Sequence, residues 1–466
     1  MRPASAFMLL TLVPIALWAA GAAPRSPQTL GISVAVYDGN PANVWNRLYA
    51  ALRVREDSRG NRYGEDSLDP MLWRESDHLL AQPSHGRALH VLDEFLQTHA
   101  ENMIQDPLKR AMLQRDLWAV FDWSVQELPG GTGQSVRYNN EKRELQTRLA
   151  EVLKRIALTQ EQIKSLPDNY AQAVASGAFS AKYDPTQPQQ PFLPTDLFDP
   201  RGPWVCIAPS LDSIAYGGVA KSHVTNLSGR SVFLVFVRLP EGRKATLDYF
   251  QTLWNFPQPW VSVPPPVPAD QAEENPDLPS FPSGTQVALV RQMMLFDNQG
   301  NLAVSRIIES VQIRVYREIT TAPARDFSAG PAGMARNSGQ DFFEIKISRP
   351  LLFSGRQGGL RPTARDEIEP ATFQTIGFDP IDGIPERPEQ INTPFESTIQ
   401  TCLHCHSGGG LSSFNSLNSL LKPNRPQQEP RDVNYGPRFW SNNNAVWWKE
   451  NRYDWGLLNG YWKARL

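Results

Sequence analysis

The chain has 466 residues and a formal net charge of −2. That length leaves room for two or three domains. The balanced charge gives no electrostatic basis for a nucleic-acid partner or an anionic membrane surface. Three cysteines are too few for a scaffold built on disulfides.

The first 22 residues read as a secretory signal peptide. Arg2 supplies a short positive region, Phe7 to Ala19 is apolar but for Thr11 and Pro14, and Ala20-Gly21-Ala22 offers small residues for cleavage after Ala22. The apolar run is shorter than the roughly 20 residues that span a bilayer comfortably. No transmembrane segment is expected after cleavage.

Residues 29–180 carry helical periodicity and predict a helical domain. Asn40-Pro41 reads as a cap with proline at the first helical position, ahead of Val44, Leu48 and Leu52. Asp106-Pro107 repeats the signal before Leu113, Leu117, Val120 and Phe121. Leu145, Leu149, Val152, Leu153 and Ile156 keep helical spacing in a helix from Asn140. Thr159 with Gln162 predicts a capping box, Leu158 with Ile163 a hydrophobic staple, and Gly177 a stop. The acidic stretch Asp57 to Asp69 has Arg59 where a calcium loop needs a ligand, so it reads as a solvated loop.

Residues 200–352 change to a period of two and predict an antiparallel β domain, as a sandwich or an open sheet. Val311, Ile313 and Val315 alternate with Gln312, Arg314 and Tyr316, and Phe343, Ile345 and Ile347 with Glu344, Lys346 and Ser348. Both read as half-buried strands. Val232 to Val237 is apolar throughout and fits a central strand. Asp297-Asn298-Gln299-Gly300 is turn chemistry and predicts a hairpin. Cys206, in the apolar run from Trp204 to Ile207, reads as a buried inert thiol. Nine prolines between Pro257 and Pro282 mark a surface loop, and Ala322 to Asn337 marks another.

Residues 353–394 read as a connector. Residues 395–466 form the last segment, ending in a helix rich in tryptophan. Trp440, Trp447, Trp448, Trp455 and Trp462 lie there, five of 13 in the chain. Such a helix either docks on the body or packs against a prosthetic group, with Arg438, Lys449 or Arg452 pairing its carboxylates.

The most specific feature is Cys402-Leu403-His404-Cys405-His406. On a helical turn, residues three apart share a face, so both thiols and the following imidazole can reach one object. Three chemistries suit the pattern: a disulfide, a zinc site joined by His404, or covalent haem. The pentapeptide resembles the attachment motif of c-type cytochromes, and the resemblance covers these five residues only. It implies one haem c on Cys402 and Cys405, with His406 on the iron. It also implies export, with a bacterial periplasm as the compartment. The expected architecture is therefore α+β: a helical domain, an antiparallel β domain, and a C-terminal haem segment docked on the body.

The second axial ligand is not evident from the sequence. Sixty residues follow His406 and none is Met, unlike the common small cytochromes c. Met293 and Met294 suit core packing better than ligation. His78, His85, His90, His99 and His223 are the histidines outside the motif. His404, inside the attachment loop, reaches the opposite face of the same iron only with difficulty. Single-electron transfer with a periplasmic redox partner is the first functional expectation. The alternatives are an enzyme or small-ligand binder with an open iron, and an assembly module in which the haem is structural. Catalytic residues are not identifiable.

Overall fold

A computed structural model describes residues 32–69, 72–73, 76–126, 138–207, 220–262, 272–319, 339–368, 379–382, 397–406, 410–413 and 445–464. The signal-peptide reading, the Ala322–Asn337 loop, Arg438 and Trp440 lie outside these residues.

Local chemistry starts the helices. Asn43 caps α1 (Val44–Arg53), its side chain accepting from the Trp45 amide. A short antiparallel hairpin follows, β1 (Arg55–Glu56) with β2 (Arg62–Tyr63). Next come α2 (Ser84–Gln97) and α3 (Pro107–Val125). Asp106 caps α3 and Pro107 occupies its first turn, as its sequence predicts. The helix expected from Asn140 is α4 (Asn139–Ile156). Thr159 and Gln162 form the predicted capping box on α5 (Gln160–Ser165). α6 (Asn169–Ala175) ends two residues before Gly177, whose φ is +67°.

The β region begins with β3 (Val205–Cys206), α7 (Lys221–Asn226), β4 (Ser231–Arg238) and α8 (Arg243–Trp254). A separate pair, β5 (Trp260–Ser262) and β6 (Ala272–Glu274), falls within the proline-rich stretch. β7 (Gln286–Phe296) and β8 (Leu302–Tyr316) form the predicted hairpin. Asp297 holds its turn by accepting from the Gln299 and Asn301 amides. β9 (Gln340–Ile347), α9 (Arg349–Phe353) and β10 (Leu360–Pro362) complete the region. The chain then forms α10 (Thr398–His406), a helical stretch at 445–450, and α11 (Tyr453–Lys463).

Six strands make one antiparallel sheet in the order β10-β9-β8-β7-β4-β3. The sheet is open, and each face is covered. One face, with Val232, Leu234, Phe236, Val311, Ile313, Val315, Phe343 and Ile345, belongs to the same buried cluster as Leu48, Phe95, Leu117 and Leu149 of the helices. Helices and sheet thus share a core. Trp118 sits fully buried in it, 5.2 Å ring to ring from Phe296 and 5.7 Å from Trp455. Each such large apolar side chain contributes about 1.5–3 kcal/mol.

The opposite face is where the sequence misleads. Gln312, Arg314 and Tyr316 alternate with core residues, which suggests a solvent side. In the structure Arg314 and Tyr316 are buried. A second apolar cluster covers part of this face, built from Val235, Val237, Val287 and Tyr316 with Val224, Leu253, Phe281 and Leu411.

Polar anchoring inside the body is extensive. Asp116, fully buried, holds Arg53 at 2.9 Å and Arg349 at 2.5 Å, and accepts from the Tyr37 hydroxyl at 2.7 Å. Asp69 lies among Arg115, Arg230 and Arg291 at 2.9–3.3 Å. Burial works against its charge, but the three guanidiniums win and hold its carboxyl well below the usual range. The stretch read as a solvated acidic loop therefore ends in a buried ion-pair cluster. Lys449 closes a third group, its ammonium 2.7 Å from Asp122 and 2.9 Å from Asp454. Among the described residues no helix is long and apolar enough to cross a membrane.

Candidate functional site

The pentapeptide ends α10, which packs against β9. Its start is tethered: the backbone amide and hydroxyl of Thr398 both donate to the Glu367 carbonyl, at 2.9 and 3.2 Å. The Glu367 carboxylate is in turn held by Lys346 at 2.6 Å and by Arg361 at 2.7 and 2.8 Å. Burial alone would raise its pKa. The two cations and their hydrogen bonds prevail, and hold the carboxyl at about 2 instead of 4.5.

That shift sets a pH dependence. The depressed folded pKa contributes stability above pH 4.5, and this is lost as pH falls from 4.5 towards 2. Acidification through that window should free the start of α10. Glu367→Gln should do so at neutral pH, raising backbone hydrogen exchange over residues 398–406 while β7 and β8 stay protected. Equal exchange in the variant and the native protein would remove Glu367 as the tether.

From this start, α10 aims Cys402 and His406, four apart on one helical face, at the polar side of the sheet. Strand register defines that side: Phe233 pairs with Arg291, Leu289 with Gln312, Gln312 with Glu344, Val287 with Arg314, and Tyr316 with Gln340. The Gln312 amide donates to the Cys402 sulfur at 3.6 Å. The Gln340 amide donates to the His406 carbonyl. Arg314 Nη1 lies 3.3 Å from His406 Nδ1. The side chains of His404 and Cys405 lie outside the described residues.

One histidine from outside the motif comes to this place. His223 on α7 lies with its ring centre 6.3 Å from that of His406, the two planes within 4° of parallel. Phe233 flanks it at 5.6 Å. Burial lowers the His223 pKa, and Arg291 and Arg314 lower it further, to about 4. At neutral pH it is an uncharged imidazole.

The other candidate histidines and methionines lie elsewhere. His78 lies 2.7 Å from Asp382, His85 holds the Leu79 carbonyl at 2.8 Å, His99 pairs with Glu101, and His90 is exposed on α2. Met293 and Met294 are fully buried in the shared core. Cys206 is buried too, and burial pushes its thiol up to about 12, which suits an inert role.

The sheet contributes two cations that sequence reasoning did not single out. Arg314 is beside His406, and Arg291 is close enough to act on His223. Arg291 bonds Asp69, Glu309 and Ser231 through Nη1 and Nε, yet among the described residues its buried Nη2 has no hydrogen-bond partner. An unmet buried donor of this kind calls for an anionic or carbonyl oxygen. The alternation of polar residues on β8 was the available signal. It marked the face lining the site.

The tryptophan-rich end does something else. Trp455 and Trp462 pack on Phe296, 5.8 and 5.0 Å ring to ring, and the Trp462 indole donates to the Ala150 carbonyl. Arg452 stacks over Trp448 at 4.7 Å. α11 is thus a helix docked on α3 and α4, and Lys449 is spent in its buried ion pairs.

No family model, curated protein or solved structure matches this chain.

Proposed function

We propose that the protein is an exported, periplasmic, c-type cytochrome-like protein that carries one covalent haem and passes single electrons between redox partners. The observation that carries the reading is the Cys-x-x-Cys-His sequence on a helix seated against a covered polar sheet face, with Cys402 and His406 on its inner side. When bound, haem supplies one-electron exchange between ferrous and ferric iron. The chain's residues do the rest. The Cys402 and Cys405 thiols would each add across a vinyl group, forming a carbon–sulfur bond while the thiol hydrogen passes to the other vinyl carbon, so that nothing leaves. His406 supplies an imidazole nitrogen from the same helical turn. Arg291 and Arg314 provide positive charge for the carboxylates that such a group carries. The apolar cluster of Phe281, Leu411 and Val235 covers part of the same sheet face.

The test is mass spectrometry of full-length protein made with a haem c attachment system. One added haem per chain is expected, surviving denaturation and absent from Cys402→Ala/Cys405→Ala. Recovery of the bare polypeptide mass under conditions that load another c-type cytochrome would end this reading.

A further inference from the structure

We propose that His223 is the second axial ligand, with the iron held between His223 and His406. The inference rests on the haem reading and adds the group on the opposite face of the iron. Its basis is dimensional. A ligating imidazole nitrogen sits about 2 Å from a transition metal and about 1 Å from its own ring centre, so two imidazoles on one metal have ring centres roughly 6 Å apart. His223 and His406 are 6.3 Å apart with planes within 4° of parallel.

The surroundings bear on the same assignment. His223 comes from α7 and His406 from α10, so the two rings approach from separate elements across the polar sheet face. The Arg291 guanidinium carbon lies 5.9 Å from the ring centre of Phe233, which flanks His223, and a propionate oxygen would complete its unsatisfied Nη2. Arg314 has a defined consequence. Ligation of His406 through Nε2 puts its proton on Nδ1. Arg314 has only donors to offer, so it leaves its position 3.3 Å from Nδ1 and takes a carboxylate instead. Two nitrogen ligands make the iron six-coordinate and low-spin, close it to exogenous ligands, and favour a lower potential than a methionine would.

The experiment uses haem-loaded full-length protein whose attachment is first verified by mass. Electron paramagnetic resonance and optical spectra should report low-spin ferric iron, and the reduced protein should not bind carbon monoxide. His223→Ala should keep the covalent haem, become high-spin, bind one carbon monoxide per haem, and regain the low-spin spectrum when imidazole is added. That rescue separates a ligand from a residue needed only for folding. His223→Met is a second variant: it should stay low-spin, gain the near-infrared charge-transfer band of methionine ligation, and shift the potential upwards. Absence of haem from the native protein overturns the parent reading and this one with it. Haem present, but with carbon monoxide binding in the native protein or an unchanged low-spin spectrum in His223→Ala, overturns the His223 assignment alone and favours an open iron or another ligand.

Discussion

Asp116→Ala is expected to cost more stability than any other single change at a polar position. The carboxylate is fully buried and neutralises two equally buried guanidiniums, Arg53 and Arg349, while accepting from Tyr37. Removing one partner of a buried ion pair costs about 3–5 kcal/mol, because the remaining charge is stranded without solvent. Here two guanidiniums lose their buried carboxylate, Arg349 keeping the more distant Asp66 at 3.8 Å, against a total stability of about 5–15 kcal/mol for a typical fold. The variant should be insoluble, or should show a sharply lowered urea midpoint. Asp116→Asn keeps the volume and should fall between it and the native protein. A loss under about 1 kcal/mol, the ordinary size of a mutational effect, would show that Arg53 and Arg349 find other partners.

His406→Ala should abolish the native Soret spectrum or block haem attachment outright. His406 follows directly on Cys405, and its imidazole comes from the helical turn that carries Cys402 and Cys405. His404→Ala should do much less, since a side chain between the two cysteines cannot easily reach the opposite face of the same iron. The comparison separates two metals. A haem site needs His406 and tolerates loss of His404, whereas a zinc site using both would suffer equally from either change. Equal damage, with zinc found by elemental analysis, would replace the haem reading.

Much of the secondary structure was legible because it rests on local chemistry. Asp106-Pro107, the Thr159–Gln162 box and the Asp297–Gly300 turn each satisfy backbone groups within a few residues. The start of α1 was read three residues early. Pro41 lies in a turn, and Asn43, not Asn40, supplies the capping oxygen. The facing of the sheet was half legible. Alternation on β8 and β9 identifies one buried side but cannot say that the other is covered too, because the covering elements, α7 and α10, come from distant sequence. The site had the same limit. Cys402, Cys405 and His406 announce themselves by spacing, while His223 has no local signal and meets His406 only through the fold. Arg314 and Asp69 sit in sequence patterns that suggest solvent-facing positions, and only the packing shows them enclosed.

The ion pairs of Lys449 bear on the order in which this chain can finish folding. Its ammonium reaches Asp122 across 327 positions and supports Trp118 as well, lying 5.0 Å from that ring. Forming that pair closes a loop over most of the described chain, and such long-range closure is entropically slow. Lys449 thereby acts as a latch, tying α3 through Asp122 to α11 through Asp454.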